Sequence, residues 1–379
     1  MNSLSMPRYV VMLSNKLKER GFNVEIWSPE AKFYNIFKHH WLKKWMGYID
    51  QYIVFPSQIR KRANSVSSQS IFVFTDHAQG PWVTLLNEYP HVIHCHDFLA
   101  QQSALGEVLE NPTSLSGRLY QAYIRRGFRR GKNFISVSAK TRSDLHRFLN
   151  FTPDISEIVY NSVNTVFEQR DILLSRETLS VKFDIDFRKG YILHVGGNQW
   201  YKNRRGVIEI YSFWREKYQN ALPLIMIGQK PNNDLLLVVQ NSVYKKDIYF
   251  LTNLDDDHVV DAYAGASVFL FPSLAEGFGW PIAEAMTTGC PVITTNEAPM
   301  TEVAGNAALL IPKRPHQEDQ LMSWLSITSG VLNDSVSFTS EQRKKIVEAG
   351  IENARRFSSV ESISELVSIY TKIYATQSN

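Results

Sequence analysis

The sequence of 379 residues contains only two cysteines, Cys95 and Cys290, which lie far apart along the chain. Thiols this few and this isolated exclude a disulfide framework and a thiolate metal site, and they favour a reducing compartment. No apolar run reaches the roughly 18 residues that a bilayer-spanning helix requires. The first residues, MNSLSMPRYV, lack the basic and long apolar regions of a secretory signal. We therefore expect a cytoplasmic protein that is not exported.

The sequence also lacks internal repeats and low-complexity tracts. Its apolar fraction of 44% is sufficient for substantial buried cores. A chain of this length exceeds the size at which a single core usually divides, so we expect two globular domains.

Acidic residues are nearly absent from two segments of the first half. Residues 32–62 carry a net charge of +6 and residues 111–143 carry +8, whereas the whole chain carries +4. The remaining residues are therefore acidic overall, with a net charge of −10. Such basic stretches could contact nucleic acid, but no nucleic-acid-binding motif accompanies them, and we expect no nucleic-acid partner.

Short β-branched and aromatic runs alternate with segments of helical spacing along the chain. This alternation predicts an α/β protein with two parallel sheets, and ligands normally bind at the carboxyl ends of such strands. A less apolar stretch, residues 165–188, predicts the connection between the two domains. The predicted strands are residues 22–27, 70–76, 91–97, 133–138 and 156–163, and then 191–197, 222–228, 247–251, 267–273, 290–295 and 307–312.

The segment EGFGWPIAE (276–284) comes two residues after the apolar run SVFLFPS (267–273). Its glycines favour an exposed loop that ends where a helix begins near Pro281. Amide groups at such a helix start can bind a phosphate. Glu276 in the loop and Glu284 in the helix can each accept hydrogen bonds from hydroxyls, which indicates a nucleotide sugar. In the alternative interpretation, Glu276 caps the helix and Glu284 is solvated.

EGFGWPIAE and the following AMTTGCPVITTN resemble the E-x7-E signature and downstream strand of the retaining glycosyltransferase family 4. The resemblance extends to VGGNQWYKN, SVSAKTRSDL, YNSVN and PMTEVAGNAALLIP, and so it covers nearly the whole chain. It implies the GT-B fold, in which two Rossmann-like domains face a central cleft. We accordingly expect an acceptor-side domain over residues 1–170, a nucleotide-sugar-binding domain over residues 171–357, and a C-terminal helix over residues 358–379 that crosses back to the first domain.

The resemblance also implies roles for particular residues. Glu276 would lie beside the donor sugar, Glu284 would bind the ribose hydroxyls, and Lys202 would neutralise the diphosphate. The other positions expected in the donor site are Gly196, Gly197, Asn203, Gly277, Phe278 and Gly279. The family's fold does not depend on a bound metal ion, and we expect no metal or cofactor. The acids Asp255–Asp257 precede a helical pattern, so we interpret them as helix-capping residues.

The strand pattern HVIHCHD places His94 and His96 on the same side of a strand. It resembles the HxHD pattern of glycogen synthases and other family members, whose second histidine contacts the donor sugar. We therefore expect His96 to be catalytic and His94 to be structural. His77 ends the neighbouring strand and is a candidate on the acceptor side.

Two features depart from the family pattern. Family members usually carry an arginine five residues before the lysine, whereas Gly197 occupies that position here. Lys202 and the loop amides could suffice, or Arg204 or Arg205 could substitute. The sequence also begins at the first helix of the usual domain, which indicates either a start further upstream or an incomplete first sheet. These departures leave open a catalytically silent sugar-nucleotide or glycan-binding subunit.

The resemblance favours a retaining transferase that acts on a glycan or lipid-linked glycan of bacterial surface polysaccharides. A same-face route through an ion pair is favoured over double displacement, for which Glu276 is the only obvious nucleophile.

Two basic segments suggest an anionic membrane surface as a further partner, at the inner face of the membrane. One has Phe33, Ile36, Phe37, Trp41 and Trp45 at helical spacing. The other is predicted to place Tyr120, Tyr123, Ile124 and Phe128 on one face, opposite Arg118, Arg125 and Arg129, although this face could be an ordinary core stripe.

Overall fold

The computed structural model describes residues 5–36 and 39–377. The chain forms two compact units, of which the first comprises the residues up to Val159 together with those from Val360 onward. The second unit spans Tyr160–Ser359. The strands are β1 (Phe72–Phe74), β2 (His91–Cys95), β3 (Asn133–Ser136), β4 (Ile155–Ile158), β5 (Ile192–Val195), β6 (Leu224–Ile227), β7 (Ile248–Leu251), β8 (Val268–Phe271), β9 (Val292–Thr295) and β10 (Leu309–Ile311).

Sixteen α-helices lie within the described residues, and the longest are α14 and α16. Within residues 5–36 and 39–377, no helix is both long and apolar enough to span a bilayer. The helices are α1 (Ser5–Glu19), α2 (His40–Ile49), α3 (Phe55–Ala63), α4 (Gly80–Val83), α5 (Leu99–Ala104), α6 (Leu115–Phe128), α7 (Ala139–Phe148), α8 (Ile172–Phe183), α9 (Arg204–Tyr218), α10 (Asn233–Asn241), α11 (Asp256–Gly265), α12 (Trp280–Thr287), α13 (Met300–Ala304), α14 (Glu318–Val336), α15 (Ser340–Ala354) and α16 (Ser359–Gln377).

The first unit contains a parallel sheet in the order β1-β2-β3-β4. The predicted strand over residues 22–27 does not form, and this prediction was wrong. Phe22 and Ile26 are exposed, and no strand of the described chain pairs with this segment. A strand requires neighbouring amide and carbonyl groups as partners, so an alternating side-chain pattern alone does not create one. Only Trp27 joins the core, where its ring packs edge-on against Phe72.

His94 connects β2 to two helices of the first unit. Its Nδ1 lies 2.7 Å from the hydroxyl of Tyr9 on α1, and its Nε2 lies 2.7 Å from the hydroxyl of Tyr370 on α16. Burial lowers the pKa of His94 to about 3, so the ring is neutral. Both ring nitrogens are thus satisfied by structural partners, which confirms the expectation that His94 is a structural residue.

Helix α6 is amphipathic, but its faces differ from the predicted ones. Ile124 and Phe128 are buried, whereas Tyr123 is exposed. Arg125 and Arg129 are held inside the unit by the side-chain oxygen of Gln101 and the backbone carbonyl of Phe148. The exposed arginines are instead Arg126 and Arg130. Arg125 and Arg129 can lie away from the exposed face because the aliphatic stem of an arginine packs on apolar surface while its guanidinium group reaches a buried acceptor.

The segment around residues 33–45 was also predicted incorrectly as one helix. Phe33 and Ile36 lie in irregular backbone, and α2 begins only at His40. Trp45 lies on α2 and is exposed. Phe37 and the side chain of Trp41 fall outside the described residues. Asp50 stabilises the irregular part, because its carboxylate accepts hydrogen bonds from the backbone amides of Phe33 and Tyr34.

Helices α4 and α6 approach each other at backbone distance. A Cβ atom added to Gly127 would lie 2.3 Å from the backbone carbonyl of Gly80, and one added to Gly80 would lie 2.4 Å from the carbonyl oxygen of Ile124. Real Cβ contacts are never this short, and the obstructing atoms belong to the backbone. Only glycine is therefore compatible with this helix contact.

We expect the substitution Gly127→Ala to lower the free energy of unfolding by about 1–3 kcal/mol, the usual cost of overpacking a dense core. The matched control is Gly117→Ala on the same helix, where the added Cβ would meet the side chains of Thr113 and Ser114 and no backbone atom of another segment. This change should be neutral or stabilising, because alanine favours helix by about 1 kcal/mol over glycine. Urea unfolding of both variants tests the contact. Equal stability of both variants would contradict it.

The second unit contains a six-stranded parallel sheet in the order β10-β9-β8-β5-β6-β7. All six strands predicted in this half are confirmed, each with slightly shorter bounds. Trp214 on α9 is completely buried in the core, and Trp324 on α14 packs into the same core. The stretch 165–188, which was predicted to connect the two domains, lies within the second unit and contains α8, whose Leu179 is buried. The sequence signal was weak there since much of α8 is exposed.

Candidate active site

The carboxyl edge of the second sheet brings together two loops of the predicted donor site. One follows β5 and contains Gly196, Gly197 and Lys202, and the other follows β8 and contains Ser273 and Glu276. Because β5 and β8 are adjacent in the sheet, residues 70 or more positions apart in sequence meet here. The meeting of these two loops was expected from the family resemblance.

Lys202 and Glu276 form an ion pair with a distance of 2.8 Å between Nζ and Oε1. Their side chains are only 14% and 8% exposed. The hydroxyl of Ser273 also donates to Glu276 Oε1, at 2.6 Å. Lys202 additionally lies over the rings of Tyr201 and Phe271. A charged pair held this rigidly can present its remaining hydrogen-bonding atoms to a polar ligand without reorganising.

The loop after Glu276 leads into α12 without a side-chain cap. The residue before the helix is Gly279, whose φ of 109° lies in the left-handed region that glycine tolerates. Glu276 therefore does not cap α12, and the capping alternative is excluded.

Phe278 is buried against Tyr160 and Phe357, so only its backbone is available to a ligand. The predicted helix start near Pro281 is confirmed, since α12 begins at Trp280.

Glu284 is oriented by a tyrosine that sequence reasoning missed. The hydroxyl of Tyr263, on α11, donates a hydrogen bond of 3.1 Å to Glu284 Oε2. Burial raises the pKa of Tyr263 well above its ordinary value, so the phenol keeps its proton and acts as the donor. Glu284 is thus a positioned acceptor and not merely a solvated surface residue.

Asn203 and Arg204 brace the loop that carries Gly197. Asn203, at φ 49°, accepts from the Gly206 amide and donates to the Pro272 carbonyl, so its side-chain amide is occupied within the protein. Arg204 is 4% exposed and donates from Nη1 to the Gln229 carbonyl. Its Nε and Nη2 have no hydrogen-bond partner within the described residues.

Arg204 is therefore the cation beside the position where the family carries arginine. Burial lowers its pKa to about 10, so it remains charged at neutral pH. Arg205, the other suggested substitute, is exposed and pairs with Glu209.

Two candidate histidines of the first unit, His77 and His96, lie at the carboxyl edge of its sheet. His96 follows β2, and its Nε2 lies 3.0 Å from the carbonyl oxygen of Thr75. Because a carbonyl can only accept, Nε2 carries the proton and Nδ1 is an acceptor. Burial lowers the pKa of His96, which favours this neutral form. Nδ1 has no hydrogen-bond partner in the described chain and can accept from a hydroxyl.

His77 packs against two aromatic rings in the same region. Its ring centroid lies 4.5 Å from that of Phe98 and 5.8 Å from that of Phe128. Burial lowers the pKa of His77 to about 4, so this ring is also neutral. Its Nδ1 lies 3.2 Å from Asp76 Oδ1 without hydrogen-bond geometry. These contacts give His77 a packing role, while its place beside His96 keeps it an acceptor-side candidate.

The acidic run Asp255–Asp257 begins α11 as expected. Asp255 precedes the helix, and its side chain accepts from the His258 amide, which confirms the capping interpretation. In the part of the chain that the structure describes, no group of three or more His, Cys, Asp or Glu side chains could hold a metal ion.

Comparisons with known proteins agree with this fold. A family model for glycosyl transferases group 1 matches residues 175–351, and one for glycosyltransferase family 4 matches residues 6–167. The O-antigen chain mannosyltransferase B of Escherichia coli is 28% identical over 243 residues, which are 63% of this chain. The chain spans only 60% of the length of that relative.

Two solved structures show the fold over nearly the whole chain. Sucrose-phosphate synthase of Thermosynechococcus elongatus has a TM-score of 0.74 at 14% identity, covering 97% of this chain and 93% of that one. HepE of Anabaena, solved with UDP and glucose, has a TM-score of 0.67 at 14% identity, covering 94% and 88% of the two chains. The architecture is that of the GT-B class. The chain belongs to the family-4 type of glycosyltransferase, because the glycosyltransferase family 4 model matches most of its first unit and the glycosyl transferases group 1 model matches most of its second unit.

Proposed function

We propose that this protein is a retaining glycosyltransferase of polysaccharide biosynthesis. It would move a sugar from a nucleotide-diphosphate sugar to a glycan or lipid-linked glycan. The observation that carries this proposal is the buried cluster of Lys202, Ser273 and Glu276 at the carboxyl edge of the second sheet. The name of the mannosyltransferase relative and the UDP bound to HepE support the proposed donor class.

The cluster suits the departure of a diphosphate. Lys202 supplies a fixed positive charge, and the backbone amides before α12 supply further donors where negative charge develops. Glu276 Oε1 is held by Lys202 and Ser273, whereas Oε2 makes no hydrogen bond within the described chain and can accept from a sugar hydroxyl. Within the first unit, we assign His96 Nδ1 as a neutral acceptor for a hydroxyl. The site residues need no metal ion or cofactor for this step.

Retention of configuration follows most simply from a same-face route. In this route the bond to the diphosphate breaks first, and the departing phosphate accepts the proton of the acceptor hydroxyl. Glu276 Oε1 is occupied by an ammonium and a hydroxyl, and these hydrogen bonds reduce the nucleophilicity that double displacement would require. We therefore assign Glu276 to charge stabilisation and sugar positioning.

We expect Glu284→Ala to weaken donor binding by on the order of 1–3 kcal/mol, since the proposed ribose hydrogen bonds are lost. Tyr263→Phe, which removes only the hydroxyl that orients Glu284, should give a smaller loss in the same direction. The measurement is a calorimetric titration with the nucleoside diphosphate, which does not depend on turnover. Undiminished affinity in Glu284→Ala would contradict its assignment to the ribose.

We further propose that the first unit attaches to the anionic inner face of the membrane, where a lipid-linked acceptor would lie. Support comes from two surface segments. Lys43, Lys44 and the exposed Trp45 lie on α2, and Arg126 and Arg130 are exposed at the end of α6. Each basic residue near an anionic leaflet contributes about 1 kcal/mol, so a few such residues give reversible attachment.

A thermal-shift screen of nucleotide sugars tests donor binding. A donor present at 100 times its Kd should stabilise the folded chain by about 2.7 kcal/mol, which raises its Tm. GDP-mannose and UDP-glucose belong in the panel because of the relatives' names and ligands. A panel without any stabilising nucleotide sugar would contradict the proposed function. A binder that supports no turnover would favour the silent subunit.

A further inference from the structure

A cavity of about 340 Å³ lies between α4 and α6 of the first unit. Its lining includes Pro81 and Gly127, and it lies next to the backbone contact between Gly80 and Gly127 described above. This contact allows the two chain segments to approach closely and fixes the distance between the cavity walls. The walls carry polar side chains, namely those of Thr84, Asn87, Tyr123, Arg126 and Arg130.

The cavity lies toward the edge of the sheet opposite to the candidate catalytic histidine. Asn87 comes four residues before the first residue of β2, and Arg130 comes three residues before that of β3. Both residues therefore mark the amino edge of the parallel sheet. His96, by contrast, follows the carboxyl end of β2. The cavity is thus separate from the proposed sugar-transfer site.

The cavity is positively charged. Arg126 and Arg130 are exposed and make no ion pair or hydrogen bond with any residue that the structure describes, whereas Arg125 and Arg129 bind internal oxygens. Glu88 adjoins Asn87 in sequence but does not line the cavity. The backbone carbonyl groups at the C-terminal end of α6 carry a partial negative charge of about half an elementary charge, which repels an anion. The two positive charges of Arg126 and Arg130 are larger than this partial charge, so the net charge beside the cavity is positive. Paired guanidinium groups match the oxygens of a phosphate.

The same face of α6 continues into exposed apolar residues. Leu115 and Leu119 are 75% and 66% exposed, and Tyr123 is 49% exposed. Together with Arg126 they follow the spacing of one helix face, on an arc of about 80° at 100° per residue, and Arg130 lies in the turn directly after the helix. An exposed face with leucines, a tyrosine and arginines in this order matches the boundary between acyl chains and headgroups of a membrane.

We propose that this cavity binds the phosphate group of an anionic membrane lipid while Leu115 and Leu119 contact its acyl region. The proposal rests on the membrane attachment proposed above, and it assigns that attachment to one site and one chemical group. The feature that favours a lipid over a free phosphate is the set of exposed apolar residues that continues from the cavity. The two arginines would bind the phosphate group of either ligand.

The test is co-sedimentation of the full chain with vesicles of phosphatidylcholine, with and without phosphatidylglycerol. The double variant Arg126→Gln/Arg130→Gln is compared with Arg60→Gln/Lys61→Gln on α3, which removes the same charge from two exposed residues of the same unit. We expect the cavity variant to lose binding to phosphatidylglycerol vesicles about 10- to 30-fold, and the control to lose much less. Both variants alter exposed side chains, and an unchanged Tm confirms that they fold.

Further measurements test whether the two arginines bind phosphate as a planar pair and whether the phosphate belongs to a lipid. Arg126→Lys/Arg130→Lys should bind more weakly than wild type but more strongly than the Gln variant, because lysine retains charge without the planar fork. Equal losses in the cavity and control variants, or no vesicle binding by wild type, would overturn the proposal. Wild type that binds soluble glycerol phosphate through these arginines but no vesicles would overturn the lipid source. Nucleotide release by the same wild-type preparation tests sugar transfer separately, so failure of one proposal does not imply failure of the other.

Discussion

Glu276→Ala should abolish sugar transfer, with a loss in kcat of about 10²- to 10³-fold or more. Removal of one preorganised group that stabilises developing charge typically has this effect. In this protein the carboxylate also fixes Lys202 and Ser273, so the substitution removes an acceptor and disorders a cation together. The measurement is the initial rate of transfer at saturating donor.

Glu276→Gln serves as the control for shape. It retains the volume and one oxygen acceptor but lacks the charge that pairs with Lys202. Breaking a buried ion pair can itself cost about 3–5 kcal/mol of stability, so the Tm of both variants must be recorded with the rates. Wild-type turnover in a folded Glu276→Ala protein would remove Glu276 from the mechanism.

Lys202→Ala should lose nearly all transfer activity and bind the free nucleoside diphosphate about 10- to 100-fold more weakly. The reason is that charge-assisted hydrogen bonds contribute about 1.5–3 kcal/mol, and position 197 carries a glycine in place of the family's arginine. Calorimetric titration with the diphosphate and the transfer rate together provide the test.

Gly197→Arg is the complementary variant, and it should raise donor affinity. An added Cβ would meet the side-chain oxygen of Gln199 at 2.4 Å, and this flexible side chain can move away. If Lys202→Ala retains wild-type affinity for the diphosphate, another cation holds the phosphates. Arg204 would then be the first candidate, since two of its nitrogens have no hydrogen-bond partner within the described residues.

The second unit was predictable from sequence because its strands are buried on both faces. Segments such as VFLF in β8 and LIMI in β6 read as continuous apolar runs, and both are completely buried. The segment FNVEIW over residues 22–27 instead alternates apolar and polar residues, and it finds no partner strand. Strand formation depends on non-local pairing, which composition does not encode.

The main site residues were predictable only because a spaced motif carries them. Glu276, Glu284 and Lys202 belong to the resemblance, whereas Ser273 and Tyr263 carry no such signal. Arg204 was named only as one of two substitutes for the arginine that is missing at position 197. Tyr263 reads as an ordinary core position of α11, and its contact with Glu284 arises from the packing of two helices. On α6 the spacing predicted an amphipathic helix, but it did not reveal which arginines reach internal acceptors.

The most direct test of the account is nucleotide release from the donor that the thermal-shift screen identifies. The full chain at saturating donor should release nucleoside diphosphate slowly without acceptor and faster with a glycan acceptor, and Glu276→Ala should release almost none. Saturable binding of a nucleotide sugar without any nucleotide release by wild type would contradict a transferase and leave a sugar-nucleotide-binding subunit.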